Sequence, residues 1–354
     1  MSVEKKKQRS GKSIKIDDVA REANVSIMTV SRALRGVEGV SEAKRTEIFE
    51  IAEKLRYQPN FNARSLVNVQ SSLIGISFPT LFNDVFAEML DGMRPTLESA
   101  GFTTIVTTHE YDGARELDWI ETVRYWRPAA VVMTGIDHDP KVRRVLRRDQ
   151  IPTLELWEHT DDPIDLCVGI DHEKAGEQIA NEMIELGYRR PAYVGWGRGH
   201  DYRSEKRLTG IRKAFSAAGL GGVRTARTGG TDHYRAGFNG TKRLVSDQST
   251  RPDIVFCHSD HFAFAGMMAC ESLGLSAPED IGIVGFNSLS INNVLPRRIT
   301  TVEVERREMG AVGARQLIAR INGIGGNLSK RFEPKVRYGA TTRTPTMMTG
   351  KTTA

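Results

Sequence analysis

A chain of 354 residues, 39% hydrophobic and 27% charged, holds enough material for two or more packed domains. No apolar run approaches the roughly 18 residues of a membrane span, and the basic opening MSVEKKKQRSGKS leads into no apolar stretch of a secretory signal. Cys167, Cys257 and Cys270 form no CxxC pair, so a disulfide framework and a thiolate zinc site are disfavoured and a cytoplasmic setting is expected.

The charge is unevenly placed. Residues 1–70 carry 14 Lys and Arg against 9 Asp and Glu, and residues 71–354 carry 36 against 35, so nearly all of the formal +6 lies in the first fifth. A small basic module on a nearly neutral body points to a polyanion for the module and to another partner for the body. Residues 1–12 read as a disordered basic tail. From Ile14 the text changes: in IKIDDVAREANVSIMTVSRALRG, Asp17 can cap a first helix bearing Val19, Ala20 and Ala23. Asn24 tolerates a left-handed turn, Val25 fills a core position, and Ser26 caps a second helix with Val30, Ala33 and Leu34 inward. A third helix follows a cap at Ser41, with Ile48, Ile51, Ala52 and Leu55 at helical spacing.

Two short helices around a tight turn in a basic segment describe a helix-turn-helix, whose second helix enters the major groove with its first residues. Those residues are Ile27, Met28 and Thr29, then Ser31 and Arg32. Arg32 can pair with guanine or grip phosphate, the apolar ends of Ile27 and Met28 suit thymine methyls, and Thr29 and Ser31 suit phosphates. Beyond Pro59, the segment holding Asn60 and NARSL is helix-prone but too short to be stable alone; Arg64 is placed for phosphate and Leu66 is an apolar wedge for a minor-groove step. The segments IDDVAREANVSIMTVSRALRG, VSEAKR and PNFNARSL resemble the headpiece and hinge helix of the LacI/GalR family of bacterial transcription regulators, apart from Asn24, where the family usually has glycine. The resemblance implies that Ile27, Met28 and Arg32 read an operator and that Leu66 intercalates as the hinge folds.

After Ser72 short apolar runs alternate with amphipathic stretches: SLIGISF, TTIVTTH, AAVVMTG, IPTLELW, PAYVGW, DIVFCH and IGIVGF read as strands, with helices between most of them. Such alternation implies parallel sheets covered on both faces, and its restart near Asp171 implies two similar subdomains around a cleft. Ligands in such sheets sit beyond the carboxyl ends of the strands. The candidates there are Thr80, Leu81, Phe82 and Asn83, then Glu155 with Trp157, and in the second half Arg207, Ser259, Asp260 and Asn287. Arg207 leads, because a guanidinium offers fixed forked donors; its neighbour Lys206 reads as a solvated helix lysine.

KRLTGIRKAF, HSDHFAFAGMMACESLGLSAPEDIGIVGFN and ITTVEVERREMGAVGARQLIARING extend the resemblance to nearly the whole chain, through a regulatory body similar to periplasmic sugar-binding proteins. The implied fold is a small all-α helix-turn-helix headpiece plus an α/β periplasmic-binding-protein-like body of two doubly wound subdomains. The headpiece spans 13–58, the hinge and linker 59–71, and the effector-binding domain 72–345, before a tail at 346–354. Subdomain one covers about 72–169 and 301–332, subdomain two about 170–300 and 333–345, and the last helix of the first is about Arg306–Ile321. Asn287 stands where the family commonly has an aspartate that grips sugar hydroxyls, and Ser259-Asp260 where it has Asn-Asp. Less negative charge beside Arg207 favours an anionic ligand. FNDVFAEMLDGM, DLCVGIDHEKAG and ERREMGAVGARQLIARING also resemble the gluconate-responsive branch, which makes gluconate or a close aldonate the leading effector.

Enzyme readings find little footing. No GxSxG elbow, P-loop or HExxH is present, VGWGRGH is GxGxG rather than GxGxxG and reads as a loop, and His138 in DHDP reads as a surface turn. No cofactor or metal is expected. Specificity on a genome requires two headpieces on a pseudo-palindromic DNA operator, hence a homodimer through the body, and TPTMMTGKTTA has no leucine heptads to make a tetramer. The expected switch has effector closing the cleft and the hinge helices losing their joint seat in the minor groove. The alternatives are a neutral sugar, purine or protein corepressor in the cleft, or a DNA-binding dimer with no small-molecule effector.

Overall fold

The structure, a computed structural model, describes residues 14–34, 37–57, 71–81, 84–197, 201–230 and 232–345. The chain divides between Ser71 and Ser72 into two compact units. In the first, α1 (Ile16–Glu22), α2 (Ile27–Leu34) and α3 (Glu42–Lys54) enclose a core of Val19, Ala20, Ala23, Val30, Ala33, Ile48 and Ala52. The first cap falls two residues earlier than the sequence suggests: Lys15 is the N-cap, and its amide donates to the Asp18 carboxylate at 2.9 Å, which leaves Asp17 inside the helix. Asn24 takes the left-handed turn with φ of +49°. Ser26 Oγ accepts the Thr29 amide at 3.1 Å to start α2, and Ser41 Oγ accepts the Lys44 amide to start α3. Lys44 Nζ then reaches the Ala23 carbonyl at the end of α1, tying first helix to third.

The second unit opens with β1 (Leu73–Phe78), α4 (Asp84–Ser99), β2 (Thr103–Thr108), α5 (Gly113–Val123), β3 (Ala130–Thr134), α6 (Pro140–Arg148), β4 (Thr153–Glu158) and β5 (Leu166–Ile170). It continues with α7 (His172–Glu185), β6 (Pro191–Trp196), α8 (Tyr202–Ala217), β7 (Arg224–Thr228), α9 (His233–Val245), β8 (Ile254–Cys257), α10 (Asp260–Glu271) and β9 (Gly282–Val284). It ends with β10 (Thr301–Glu303), α11 (Arg306–Ile321), β11 (Lys330–Arg331) and β12 (Lys335–Arg337). Two parallel sheets result, ordered β11-β5-β4-β3-β1-β2 and β7-β6-β8-β9. Their central strands are buried on both faces, as their unbroken Val, Ile and Leu content requires. The chain passes between the lobes after β5, after β9 and after β11; β10 and β12 pair as an antiparallel ribbon among these passages.

In each sheet the strand order reverses at one point, between β1 and β3 in the first lobe and between β6 and β8 in the second. Chains leave neighbouring strands there in opposite directions and open a crevice at the carboxyl ends. Gly176 of α7 and Gly210 of α8 let those helices touch backbone to backbone: a Cβ at 176 would run into the Arg207 carbonyl, and one at 210 into that of Glu173. That contact fixes the height of α8, and with it of Arg207, above the second sheet.

Candidate functional site

The exposed face of the helical unit carries apolar side chains. Ile27 and Met28 are 49% and 63% exposed at the start of α2, while Val30 and Ala33 are buried on its other side. Arg32 is exposed one turn on, and Thr29 and Ser31 are half-buried. The Thr29 hydroxyl also shares a hydrogen bond with Ser26 Oγ at 2.9 Å. Adjacent exposed apolar side chains on the first turn, followed by an arginine, form a surface that can meet thymine methyls and a base edge or phosphate. Asn60, Arg64 and Leu66 lie outside the described residues.

In the body, the crevices of the two lobes face each other across a cleft lined by Phe86, Tyr111, Trp157, Asp201, Arg203, Arg207, His258 and Asn287. Asp201 caps α8; its Oδ1 accepts from Arg203 Nε at 3.0 Å, and its Oδ2 lies 3.9 Å from Arg207 Nη2 and 3.8 Å from His258 Nδ1. Burial works against this carboxylate's charge, but Arg203, His258 and Arg207 hold its pKa well below the ordinary value. Arg207 Nη2 donates to the His258 carbonyl at 3.3 Å, Nη1 lies 3.2 Å from His172 Nδ1, and the guanidinium stacks 4.3 Å over Phe286. Burial, with help from Arg207, drives the pKa of His172 far down, and burial takes that of His258 to about 3. Both imidazoles are therefore neutral at pH 7, and His172 Nδ1 accepts from the guanidinium.

Arg203 is 2% exposed, surrounded at 5.1–5.8 Å by the rings of Phe86, Tyr111 and Tyr202. Its Nη1 has no hydrogen-bond partner. Asn287 reaches the cleft on a left-handed backbone, φ +93°, and its buried Oδ1 also lacks a partner. Trp157 is left-handed too, φ +83°, uncommon for a bulky side chain.

The other sequence candidates fall differently. Glu155 and Trp157 share a parity along β4, but the left-handed turn at Trp157 separates them. Its ring lines the cleft, whereas the Glu155 carboxylate is buried away from it, accepting from the Ile164 amide at 2.6 Å and meeting Arg143 Nη1 at 3.4 Å. Burial raises the Glu155 pKa to about 7. Asp260 is also buried and internally committed, to the Thr301 hydroxyl at 2.6 Å and the Leu289 amide at 2.5 Å. It pins the loop that presents Asn287 onto β10. Ser259 is buried beside His258 with an unpartnered Oγ. Thr80 is half-buried and Leu81 exposed; Phe82 and Asn83 lie outside the described residues.

Two expectations are corrected. His138 belongs to no surface turn: its side chain is buried, with Nδ1 bonded to Glu116 at 2.9 Å and Nε2 to the Gly135 carbonyl. Lys206 is no free solvated lysine: it pairs with Glu158 and, at 3.2 Å, with Asp137, both on the first lobe. Asp201, Arg203, Tyr111, His172 and His258 escaped the sequence reading. The signal for the first two was available, since DYR follows β6 and sits at a strand end like the other candidates. Among the described residues no group of His, Cys, Asp and Glu could hold a metal, and no helix is long and apolar enough to cross a membrane.

A helix-turn-helix module on a two-lobed α/β body is the architecture of a ligand-responsive DNA-binding regulator. Residues 15–60 match the family described as bacterial regulatory proteins, lacI family, and residues 180–342 match the periplasmic binding protein-like domain. The chain is 32% identical over 308 residues to the HTH-type transcriptional regulator GntR of Escherichia coli (strain K12), covering 87% of this chain and 92% of that one. A LacI-family transcriptional regulator of Silicibacter pomeroyi superposes with a TM-score of 0.85 at 30% identity, covering 93% of this chain and all of that one. The Lac repressor dimer bound to operator and an anti-inducer superposes at 0.77 over 94% of this chain and 99% of its own, with 20% identity, a likeness of fold. The chain belongs to the LacI family: it is a transcription regulator with a DNA-binding headpiece, not an enzyme.

Proposed function

We propose that this regulator is a repressor, that it acts as a homodimer on a pseudo-palindromic operator, and that a small sugar acid, gluconate or a close aldonate, releases it. Ile27, Met28 and Arg32 read base edges, Thr29 and Ser31 set the register on phosphates, and Asn60, Arg64 and Leu66 complete the grip. The observation that carries the effector assignment is electrostatic. Two buried guanidiniums, Arg203 and Arg207, share one carboxylate, Asp201, while the histidines beside them are neutral and Asn287 brings no charge. One positive charge in excess among the buried groups lining this cleft favours an anion over a neutral ligand. Arg203, Arg207, Ser259 and Asn287 form the site; Asp260 positions Asn287, and Glu155 has no direct part.

Operator binding measured by fluorescence anisotropy, with and without gluconate, related aldonates, hexoses and purines, tests this reading. An aldonate should weaken operator binding, and saturating operator should weaken aldonate binding by the same factor, since linkage is reciprocal. A response to a hexose or purine but to no acid would overturn the sugar-acid assignment. An operator affinity indifferent to every compound would overturn the switch.

A further inference from the structure

A cavity of about 130 Å³ lies at the carboxyl ends of β1, β2 and β3, at the order reversal of the first sheet. Its wall includes His109, Tyr111, Tyr202 and Arg203, together with the acidic residues Glu116 and Asp137. Three buried nitrogens on that wall have no hydrogen-bond partner: Nδ1 and Nε2 of His109, and Nη1 of Arg203. Orphaned polar groups at this depth are rare in native proteins and call for an occupant that satisfies them. These two carboxylates already have partners: Glu116 pairs with His138 and lies 3.8 Å from His109 Nε2, and Asp137 pairs with Lys206. Arg207 is equally committed, to Asp201, the His258 carbonyl and His172. Arg203 keeps a buried donor, Nη1, without a partner, and it lines both this cavity and the cleft that holds Asn287.

We infer that the carboxylate of the effector seats in this cavity on Arg203 and His109, and that its hydroxyl chain runs past Arg207 towards Asn287, so that Arg207 serves the chain and not the carboxylate. The inference rests on the sugar-acid reading above and names the residue that sets acid against neutral polyol. Arg203 Nη1 and one N–H of His109 donate to the carboxylate oxygens. The unpartnered Asn287 Oδ1 accepts from a hydroxyl. The rings of Phe86, Tyr111 and Tyr202 keep water from the ion pair, which strengthens it. Arg207 holds Asp201 and His258 in place and serves acid and neutral ligands alike.

Calorimetric titration of the full-length protein with gluconate and with glucitol, the same carbon chain without its carboxylate, separates these roles. Wild type should prefer gluconate. Arg203→Gln should reduce that preference by about 10- to 100-fold, the loss of one charge-assisted hydrogen bond in a dry site, and Arg203→Lys should retain part of it. Arg207→Gln should weaken both ligands by one common factor. His109→Phe should weaken gluconate alone. Retention of the acid preference in Arg203→Gln, or its abolition by Arg207→Gln, would overturn the inference while leaving the sugar-acid reading intact. If wild type binds no acid at all, that reading falls and this inference with it. Operator affinity and circular dichroism report the fold of each variant; should Arg203→Gln not fold, an unchanged acid preference in both Arg203→Lys and His109→Phe overturns the inference.

Discussion

Asp260 shows how a single carboxyl group can leave a signature on the whole protein's stability. Burial raises its pKa from 3.8 to about 7. Between those values the native state holds a proton that the unfolded chain has released, so this group's contribution falls as pH rises through the window. His258 works in the other sense. Its pKa drops from 6.5 to about 3, so between those values the unfolded chain takes up a proton that the native state refuses, and stability rises with pH. The two partly cancel in the wild type. Asp260→Asn keeps the shape and removes the first effect, together with one of the two accepting oxygens, a loss that does not depend on pH. Scanning calorimetry should find the variant's Tm improving relative to wild type between pH 5 and pH 8, by the equivalent of about 2–4 kcal/mol. A constant difference across that range would mean that the carboxyl titrates normally.

At the scale of elements, paired helices approach through glycines. Gly176→Ala would drive a methyl into the Arg207 carbonyl, pushing α7 off α8 and shifting the arginine, and overpacking of this kind costs about 1–3 kcal/mol. Gly237→Ala meets the Phe262 backbone in the α9–α10 pair in the same way, but carries no cleft arginine with it. Both variants should melt earlier, and only Gly176→Ala should bind effector more weakly; equal ligand affinities would deny α7–α8 packing a role in the site. The same glycines explain part of what the sequence hid. In α9, Gly237 and Gly240 look like breakers until the partner helix is present. β7, RTART, is a polar edge strand without the apolar run of the inner ones. α6, PKVRRVLRR, does space Val142, Val145 and Leu146 correctly, but its arginines mask the pattern. The reading helix is legible because one-sided burial imposes a helical period, and the inner strands because burial on both faces makes continuous apolar runs. A left-handed φ at Trp157 leaves no trace in composition, so spacing alone puts Glu155 in the cleft; DYR marks a strand end, but the Phe86 and Tyr111 rings that enclose Arg203 come from the other lobe.

Across the body as a whole, the two lobes are joined by polar side chains of α8. Lys206 reaches Glu158 and Asp137, and the Tyr202 hydroxyl accepts the Ile136 amide at 3.2 Å. That hydroxyl occupies the space that a side chain at Gly135 would fill, and Gly135 itself is left-handed, φ +84°. Residue 135 is therefore a keyhole, and Tyr202 its key. Gly135→Ala blocks the keyhole with one methyl group and strains the backbone besides, so the halves of the body are propped ajar. Such a protein should still occupy its operator, yet need a far higher aldonate concentration to let go, a deafness that anisotropy would register as a rightward shift of the release curve. If the curve does not move, shutting the body does not depend on that key.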